Sequence, residues 1–340
     1  MKIGSHDTEK SVFIIAEIGN NHEGDLSLAK DMILLAAQTG VNAVKFQTII
    51  PDRLISTKFN KRIEQLSQFQ FTQTQFKELR DCAKKSGLEF LSTPFDVESI
   101  DWLNDLVPAW KVASGDNNFF PLLKRLAITG KPIIISMGFG FHDQIYHLQD
   151  FFFQTWKRHG IENADLAMLH CVVSYPTPKN EAALAQIEKL KQPGITPGYS
   201  DHTIGIKAAE LAVAAGARII EKHFTIDKTR TSFRDHHLSA DPQDMHEMVE
   251  AIRNVELMAG CRRGQQTCES SNREAIRRSL TAVSDLPVGT LLNIDQFIWV
   301  RPGTGISPGQ EDSVLGQKLK IAVSAGDQIS LDDIDSMPKT

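Results

Sequence analysis

Short apolar runs recur along the first three-quarters of the chain, each followed by a stretch in which apolar residues return every three or four positions. The runs predict strands at VFIIAEIG (12–19), AVKFQT (43–48), EFLSTPF (89–95), WKVASGD (110–116), PIIISMG (132–138), LAMLHCV (166–172), ITPGYSDH (195–202) and IIEKHF (219–224). The intervening stretches predict helices. In DLSLAKDMILLAAQTG, Asp25 can cap the first turn, Leu28, Met32 and Leu35 share a face, and Gly40 suits the position just past the end. GIKAAELAVAAGA (205–217) ends in the same way on Gly216. Eight successive strand–helix units over residues 1–260 predict an α/β chain closed into a (β/α)8 TIM barrel. A doubly wound open sheet is the alternative architecture, and eight consecutive units favour closure.

The texture changes after HEMVEAIRNVELMAG, the last helix. Residues 261–276 are polar and read as a linker. From RRSLTAVSDLPVGTLLN onward, short strands are broken by turns (DLPVG, RPGTGISPG, SAGDQIS), so residues 277–340 predict a small, mostly β domain. A module of that size has little independent stability and is expected to pack on something.

Composition adds exclusions. With 41% apolar and 23% charged residues and a net charge of −5, the 340-residue chain has an ordinary globular make-up and no overall attraction to nucleic acid or anionic membrane. The four cysteines (Cys82, Cys171, Cys261, Cys268) form no CxxC pair and no disulfide framework. The polar start MKIGSHDTEK and the short VFIIA run behind it match neither a secretion signal nor a membrane span. A cytoplasmic location is expected.

In a barrel of this kind the site lies at the C-terminal ends of the strands. There the sequence places Glu17, Asn20 and His22 (strand 1), Lys45 and Gln47 (strand 2), Ser92 and Thr93 (strand 3), and Lys111, Ser114 and Asp116 (strand 4). Ser136 (strand 5), His170 with Tyr175 just beyond (strand 6), Ser200 and His202 (strand 7), and Glu221, Lys222 and His223 (strand 8) complete the series. Polar residues at all eight ends are hard to explain as structure alone. Lys45 alternates with Val44 and Phe46, so it points into the barrel if Val44 faces the helices. There it is either functional or a structural ion pair with Glu17 or Asp116, because an unpaired buried charge is costly. Lys111 and Ser114 around the glycine of KVASGD suit a phosphate or carboxylate. His202 and His223, at the tops of adjacent strands with Asp235 following, are either two core histidines or a shared divalent-metal site that leaves positions open for substrate. Several lysines and at least two carboxylates in one cavity fit an anionic, oxygen-rich substrate.

The strings AEIGNNHEG, AVKFQT, FLSTPFD, KVASGD, KPIIISMG, YPTP, GYSDHTIG and EKHFT, followed by the RPGTGISPG tail, resemble the sialic acid synthase family from about residue 12 to the end. That resemblance implies a (β/α)8 barrel joined to a C-terminal SAF (antifreeze-like) domain. It implies condensation of phosphoenolpyruvate with an N-acetylated hexosamine, giving a nonulosonic acid and inorganic phosphate. It also implies a divalent ion, Mn2+ or Mg2+, on His202 and His223. Lys111, Ser114, Ser136 and Ser200 match the family's phosphoenolpyruvate ligands, Lys45, Gln47 and Thr93 match cavity positions, and Tyr175 belongs to the YPTP string. Asp235 matches the family's acid beyond strand 8. Arg301 matches an arginine that one subunit of a domain-swapped homodimer lends to the other. Glu17, Asp116 and Asp235 are the candidates for stabilising charge or taking a proton from water.

Three strings depart from the family. ASGD stands where GSGE is usual, which makes Asp116 a methylene shorter. Val173 replaces a sugar-contacting asparagine two residues before Tyr175. NKRIEQLSQFQF (60–71) lacks the usual QYEM-like string. The phosphate and metal end matches and the sugar end does not, so N-acetylmannosamine and a diacetamido trideoxyhexose are both expected acceptors. The alternatives are another 3-deoxy-ulosonic acid synthase, a Schiff-base aldolase or lyase using Lys45, Lys111 or Lys222, and a glycan-binding protein built on a relic barrel.

Overall fold

In the computed structural model, residues 1–139, 141–231, 234–260 and 267–335 are described. The chain divides into two compact units, Met1–Gly260 and Cys261–Thr340.

The first unit holds the eight expected strands: β1 (Phe13–Gly19), β2 (Ala43–Thr48), β3 (Glu89–Pro94), β4 (Trp110–Val112), β5 (Ile133–Met137), β6 (Leu166–Cys171), β7 (Ile195–Asp201) and β8 (Ile219–His223). All are parallel and hydrogen-bonded in the order β3-β2-β1-β8-β7-β6-β5-β4, and the two end strands β3 and β4 pack against each other to bring the sheet round. Parallel strands covered by helices are buried on both faces, which is why these runs are nearly continuous in apolar residues.

Strand alternation then sorts the side chains. Val44, Phe46, Trp110, Ile133, Ile135, Met168 and Ile220 face the helices and belong to the main core. Phe13, Ile15, Ala43, Leu91, Ala109, Ile134, Ala167, Leu169 and Ile219 fill the lower lumen. An N-terminal hairpin, Lys2–Ile3 with His6–Asp7, adds a feature that the sequence pattern did not announce. Its fully buried Ile3 joins the lumen cluster and closes the barrel floor.

The expected helix after β1 runs Leu26–Gln38, with the Asp25 carboxylate accepting from the backbone N–H groups of Ser27 and Leu28. Gly40 follows at φ +86° and Gly216 at φ +109°, in the left-handed region that suits glycine. One connection differs from the one-helix-per-strand expectation. After β6 the chain makes only 3-10 turns, Lys179–Glu181 and Leu184–Leu190. Pro176 and Pro178 lack backbone donors, and Ala183 takes a left-handed φ of +47°, so an α-helix cannot propagate through this segment.

The second unit pairs β9 (Ser279–Ala282) with β10 (Phe297–Val300) around Leu280, Phe297, Val314, Leu319 and Ile329. Of the expected linker, residues 261–266 lie outside the described residues. The remainder forms short helical turns, Thr267–Asn272 and Arg273–Ile276. No described helix is long and apolar enough to cross a membrane.

Gly198 shows how little room the lumen has. A Cβ there would lie 2.7 Å from the Ile219 carbonyl oxygen and 2.9 Å from Leu169 Cγ. Gly198→Ala is expected to cost about 1–3 kcal/mol through overpacking. A urea midpoint equal to that of the wild type would contradict this account of the lumen.

Candidate active site

The alternation that fills the lower lumen with apolar groups continues upward and turns polar. Two residues beyond Ile15, Ala43, Leu91 and Ala109 come Glu17, Lys45, Thr93 and Lys111. Two beyond Ile134, Leu169, Gly198 and Ile219 come Ser136, Cys171, Ser200 and Glu221. One step higher stand Gln47, His202 and His223. All of these line one cavity of about 800 Å³, together with Ser114, Tyr175 and Asp235.

The cavity floor is a buried ionic cluster. Lys45 Nζ lies 2.7 Å from Glu17 Oε2 and 3.6 Å from Glu221 Oε2, and donates to Thr93 Oγ1 at 3.3 Å. Lys111 Nζ lies 3.7 Å from Glu221 Oε1 and donates to Ser136 Oγ (2.7 Å) and the Val112 carbonyl (2.9 Å). Ser200 donates to Glu221 Oε1 at 3.1 Å, and Gln47 Nε2 to Glu17 Oε1 at 3.1 Å. Two cations therefore face two anions, which is how a protein tolerates four charges at this depth.

Their protonation preferences diverge. Burial pulls the Lys45 ammonium down, but Glu17 and Glu221 together outweigh it and the net shift is upward. Burial prevails at Lys111, holding its ammonium below the ordinary range against the pull of Glu221. Glu17 is lifted by burial more than Lys45 lowers it. Burial also lifts Glu221, yet Lys111 and Lys45 prevail and favour its ionised form. The Cys171 thiol, flanked by the Ser114 and Ser200 hydroxyls, is pushed by burial up to about 11 and stays protonated.

Above the floor, the His202 and His223 rings are 5.4 Å apart, with Tyr175 4.1 Å from the first. His202 Nδ1 lies 2.8 Å from the Val172 carbonyl oxygen, which only accepts, so Nδ1 carries the proton and Nε2 keeps its lone pair. Burial lowers the affinity of this ring for a second proton. A neutral imidazole with one nitrogen tied to a carbonyl is the usual state of a metal-ligating histidine, so the pair suits a divalent ion. Among the described residues no group of three His, Cys, Asp or Glu side chains adopts a ligating arrangement. The two histidines would leave the remaining positions to water or substrate.

Twelve of the fourteen residues expected from sequence thus line the cavity. Asp116 does not. It sits on the 3-10 turn Ser114–Asp116, where burial raises its pKa and Oδ2 has no hydrogen-bond partner among the described residues. Arg301 belongs to the second unit, directly after β10. Ser92, His170 and Lys222, which looked like polar strand ends, have the opposite parity and face the helix layer. Ser92 shares a hydrogen bond with Thr48, His170 Nε2 bonds with the Ala182 carbonyl, and Lys222 pairs with Asp201 at 3.0 Å.

Glu221, the hub of the floor, was placed at the end of strand 8 by the sequence but given no role there. Its two-residue spacing from His223 was the available signal. The divergent segment 60–71 forms a helix, Asn60–Ser67, and its Arg62, Gln65, Leu66, Gln68 and Phe69 make part of the cavity wall, whereas Val173 is not in the lining. His22 secures the loop behind that wall. It is buried, accepts from the Gly24 N–H at 3.0 Å and stacks on Phe71 at 4.2 Å, and burial lowers its pKa to about 4.

Comparison with known proteins matches residues 32–264 to the NeuB family and residues 277–335 to the SAF domain. The chain is 36% identical to an N,N'-diacetyllegionaminic acid synthase of Legionella pneumophila over 95% of both chains. It is 32% identical to an N-acetylneuraminate-9-phosphate synthase of Mus musculus, over 96% of this chain and 94% of that one. A solved N-acetylneuraminic acid synthetase from Leptospira borgpetersenii superposes with a TM-score of 0.73 at 32% identity, covering 80% of this chain and 94% of that one.

Removing Glu221 would strand the Lys111 ammonium and leave Lys45 with Glu17 alone. Glu221→Ala is expected to destabilise the fold by about 3–5 kcal/mol, and an unchanged urea midpoint would contradict the cluster. For His22 the unfolded ring binds its proton near pH 6.5 and the folded ring only near 4. Its contribution is therefore complete above about pH 6.5 and is lost as pH falls toward 4, by at most about 3 kcal/mol. Wild type should lose more stability than His22→Gln between pH 7 and 4.5; equal losses would refute the assignment.

Proposed function

The chain belongs to the NeuB family, and on that premise we propose that it condenses phosphoenolpyruvate with an N-acetylated amino sugar to form a nonulosonic acid and inorganic phosphate. The observation that carries the reading is the meeting, in one cavity, of the Lys45–Glu17–Glu221–Lys111 cluster with the His202–His223 pair.

The side chains suit the steps of that reaction. Lys111 with Ser136, Ser114 and Ser200 offers charge-assisted and neutral donors to the phosphate and carboxylate of phosphoenolpyruvate. The sugar is held above, between Gln47, Tyr175 and Asp235, with its aldehyde carbon facing C3 of the enol. A Mn2+ or Mg2+ ion held by His202 and His223 would polarise the aldehyde oxygen as a Lewis acid. Carbon–carbon bond formation leaves positive charge at C2, which the ionised Glu221 and Glu17 stabilise. Water adds at C2 and gives a proton to Glu17, the carboxylate whose affinity for protons burial has raised. The bond between C2 and the bridging oxygen then breaks, phosphate leaves with that oxygen, the remaining hydroxyl becomes the ketone as it loses its proton, and the former aldehyde oxygen takes up a proton to become a hydroxyl.

This reading includes a homodimer, with Arg301 of one subunit serving the other, and a cytoplasmic enzyme. The Schiff-base alternative loses Lys222 to its ion pair with Asp201 outside the lumen, and Lys45 to Glu17.

The test is phosphate release from phosphoenolpyruvate with Mn2+, using N-acetylmannosamine and diacetamido trideoxyhexoses as acceptors, with and without chelator. Chelator-sensitive release with one acceptor is expected, and His202→Ala or His223→Ala should reduce it on the order of 100-fold or more. Release indifferent to chelator, or a borohydride-trapped lysine adduct, would overturn the mechanism. No release with any acceptor would overturn the function.

A further inference from the structure

At the open end of the cavity, one carboxylate is held in a way that the reaction chemistry does not explain. Glu23 lines the cavity and is the last residue of the turn that follows β1, its N–H bonded to the Asn20 carbonyl. Its backbone has φ +48°, in the left-handed region that a non-glycine residue seldom occupies without cause, with Gly24 next to it at +84°. The side chain is 27% exposed, and Oε1 accepts from His236 Nε2 at 3.1 Å. Arg230 Nε stands 3.6 Å from the same oxygen.

His236 is fully buried, and on its other side Nδ1 bonds with Thr225 Oγ1 at 2.7 Å. Thr225 is itself fully buried and follows β8 by two residues. A chain of hydrogen bonds thus runs from the top of β8, through an imidazole, to a carboxylate at the rim. Glu23 Oε2 has no partner among the described residues. The arrangement orients one oxygen and leaves the other available to the cavity. A carboxylate in that state accepts only, so its natural ligands are N–H and O–H donors.

We propose that Glu23 is a specificity-determining residue for the acceptor. Its Oε2 accepts a hydrogen bond from an amide N–H or hydroxyl at the end of the amino sugar remote from the aldehyde, and His236, anchored by Thr225, is the residue that positions it. The inference rests on the synthase reading and adds to it the class of group recognised at the cavity rim, an uncharged donor. Lys45, Lys111, His202 and His223 take no part in this contact, so phosphoenolpyruvate binding is independent of it.

The experiment compares wild type, Glu23→Ala, Glu23→Asp, His236→Gln and the Glu23→Ala/His236→Gln double variant, all with Mn2+ and the acceptor that the release assay identifies. Loss of a hydrogen bond to a charged group predicts that Glu23→Ala raises the acceptor KM roughly tenfold or more. The KM for phosphoenolpyruvate should stay within about twofold. His236→Gln should raise the acceptor KM in the same direction. The double variant should be no worse than Glu23→Ala alone, because His236 acts through Glu23. Glu23→Asp should recover part of the loss.

An unchanged acceptor KM in Glu23→Ala overturns the proposal, as does an equal rise in both KM values. Additive losses in the double variant overturn the positioning role of His236. Because a fully buried imidazole can be needed for folding, the Glu23→Ala variant, at a partly exposed position, decides the main claim alone. If no acceptor is turned over, binding of a diacetamido trideoxyhexose measured by calorimetry with phosphoenolpyruvate present takes the place of KM. Weaker binding by Glu23→Ala then upholds this contact while the synthase reading fails, and equal binding or none to wild type ends it.

Discussion

Four buried charges share the upper lumen of this barrel, and their mutual neutralisation is the constraint on which the site depends. Neither Lys45 nor Lys111 could remain an ammonium at that depth without Glu17 and Glu221, and neither carboxylate could remain ionised without the lysines. Neutral side chains reinforce the cluster, although among the described residues Glu17 Oε2 and Glu221 Oε2 meet only the ammonium of Lys45 as an ion pair. Gln47, Thr93, Ser136 and Ser200 each contribute a hydrogen bond to it. Donors and acceptors aimed inward in advance need little rearrangement when an anionic substrate arrives, which is the physical content of preorganisation.

The support for that cluster is apolar and lies directly beneath. The same alternation that raises Glu17 and Glu221 into the cavity places Ile15 and Ile219 below them, and Ile3 of the N-terminal hairpin plugs the floor. Water is kept from the lower lumen, so the charges act in a medium of low polarity where their interactions are strong. The histidine pair and the rim stand further out, where the chain leaves its strands. Loops carry the parts that vary, and the wall made by residues 60–71 is one of them.

The two ends of the cavity therefore differ in kind. Its floor is set by strand positions that cannot shift without exchanging lumen and helix-facing residues. Its rim is set by the turn at Glu23, the helix Asn60–Ser67 and the segment after β8. The resemblance to nonulosonic acid synthases is strong at the floor, and the part of the wall made by residues 60–71 departs from it. A shared chemistry with a divergent acceptor would divide the chain in that way.

Much of this was legible in the residue order. The apolar runs located all eight strands, because a strand buried on both faces has no other composition available to it. Asp25 and Gly40 marked the ends of their helix through local hydrogen bonding and backbone freedom, which need no partner from elsewhere in the chain. Motif order named the family and most of the cavity. Only the tertiary structure decided which polar strand end faces which way. Lys222 and Glu221 are neighbours in sequence, yet one pairs with Asp201 behind the barrel and the other sits between two lysines inside it. His170 and Cys171 divide in the same manner. The plug at Ile3 and the link from Thr225 through His236 to Glu23 join segments far apart in sequence. Such contacts follow from barrel closure and register, and no local pattern encodes them.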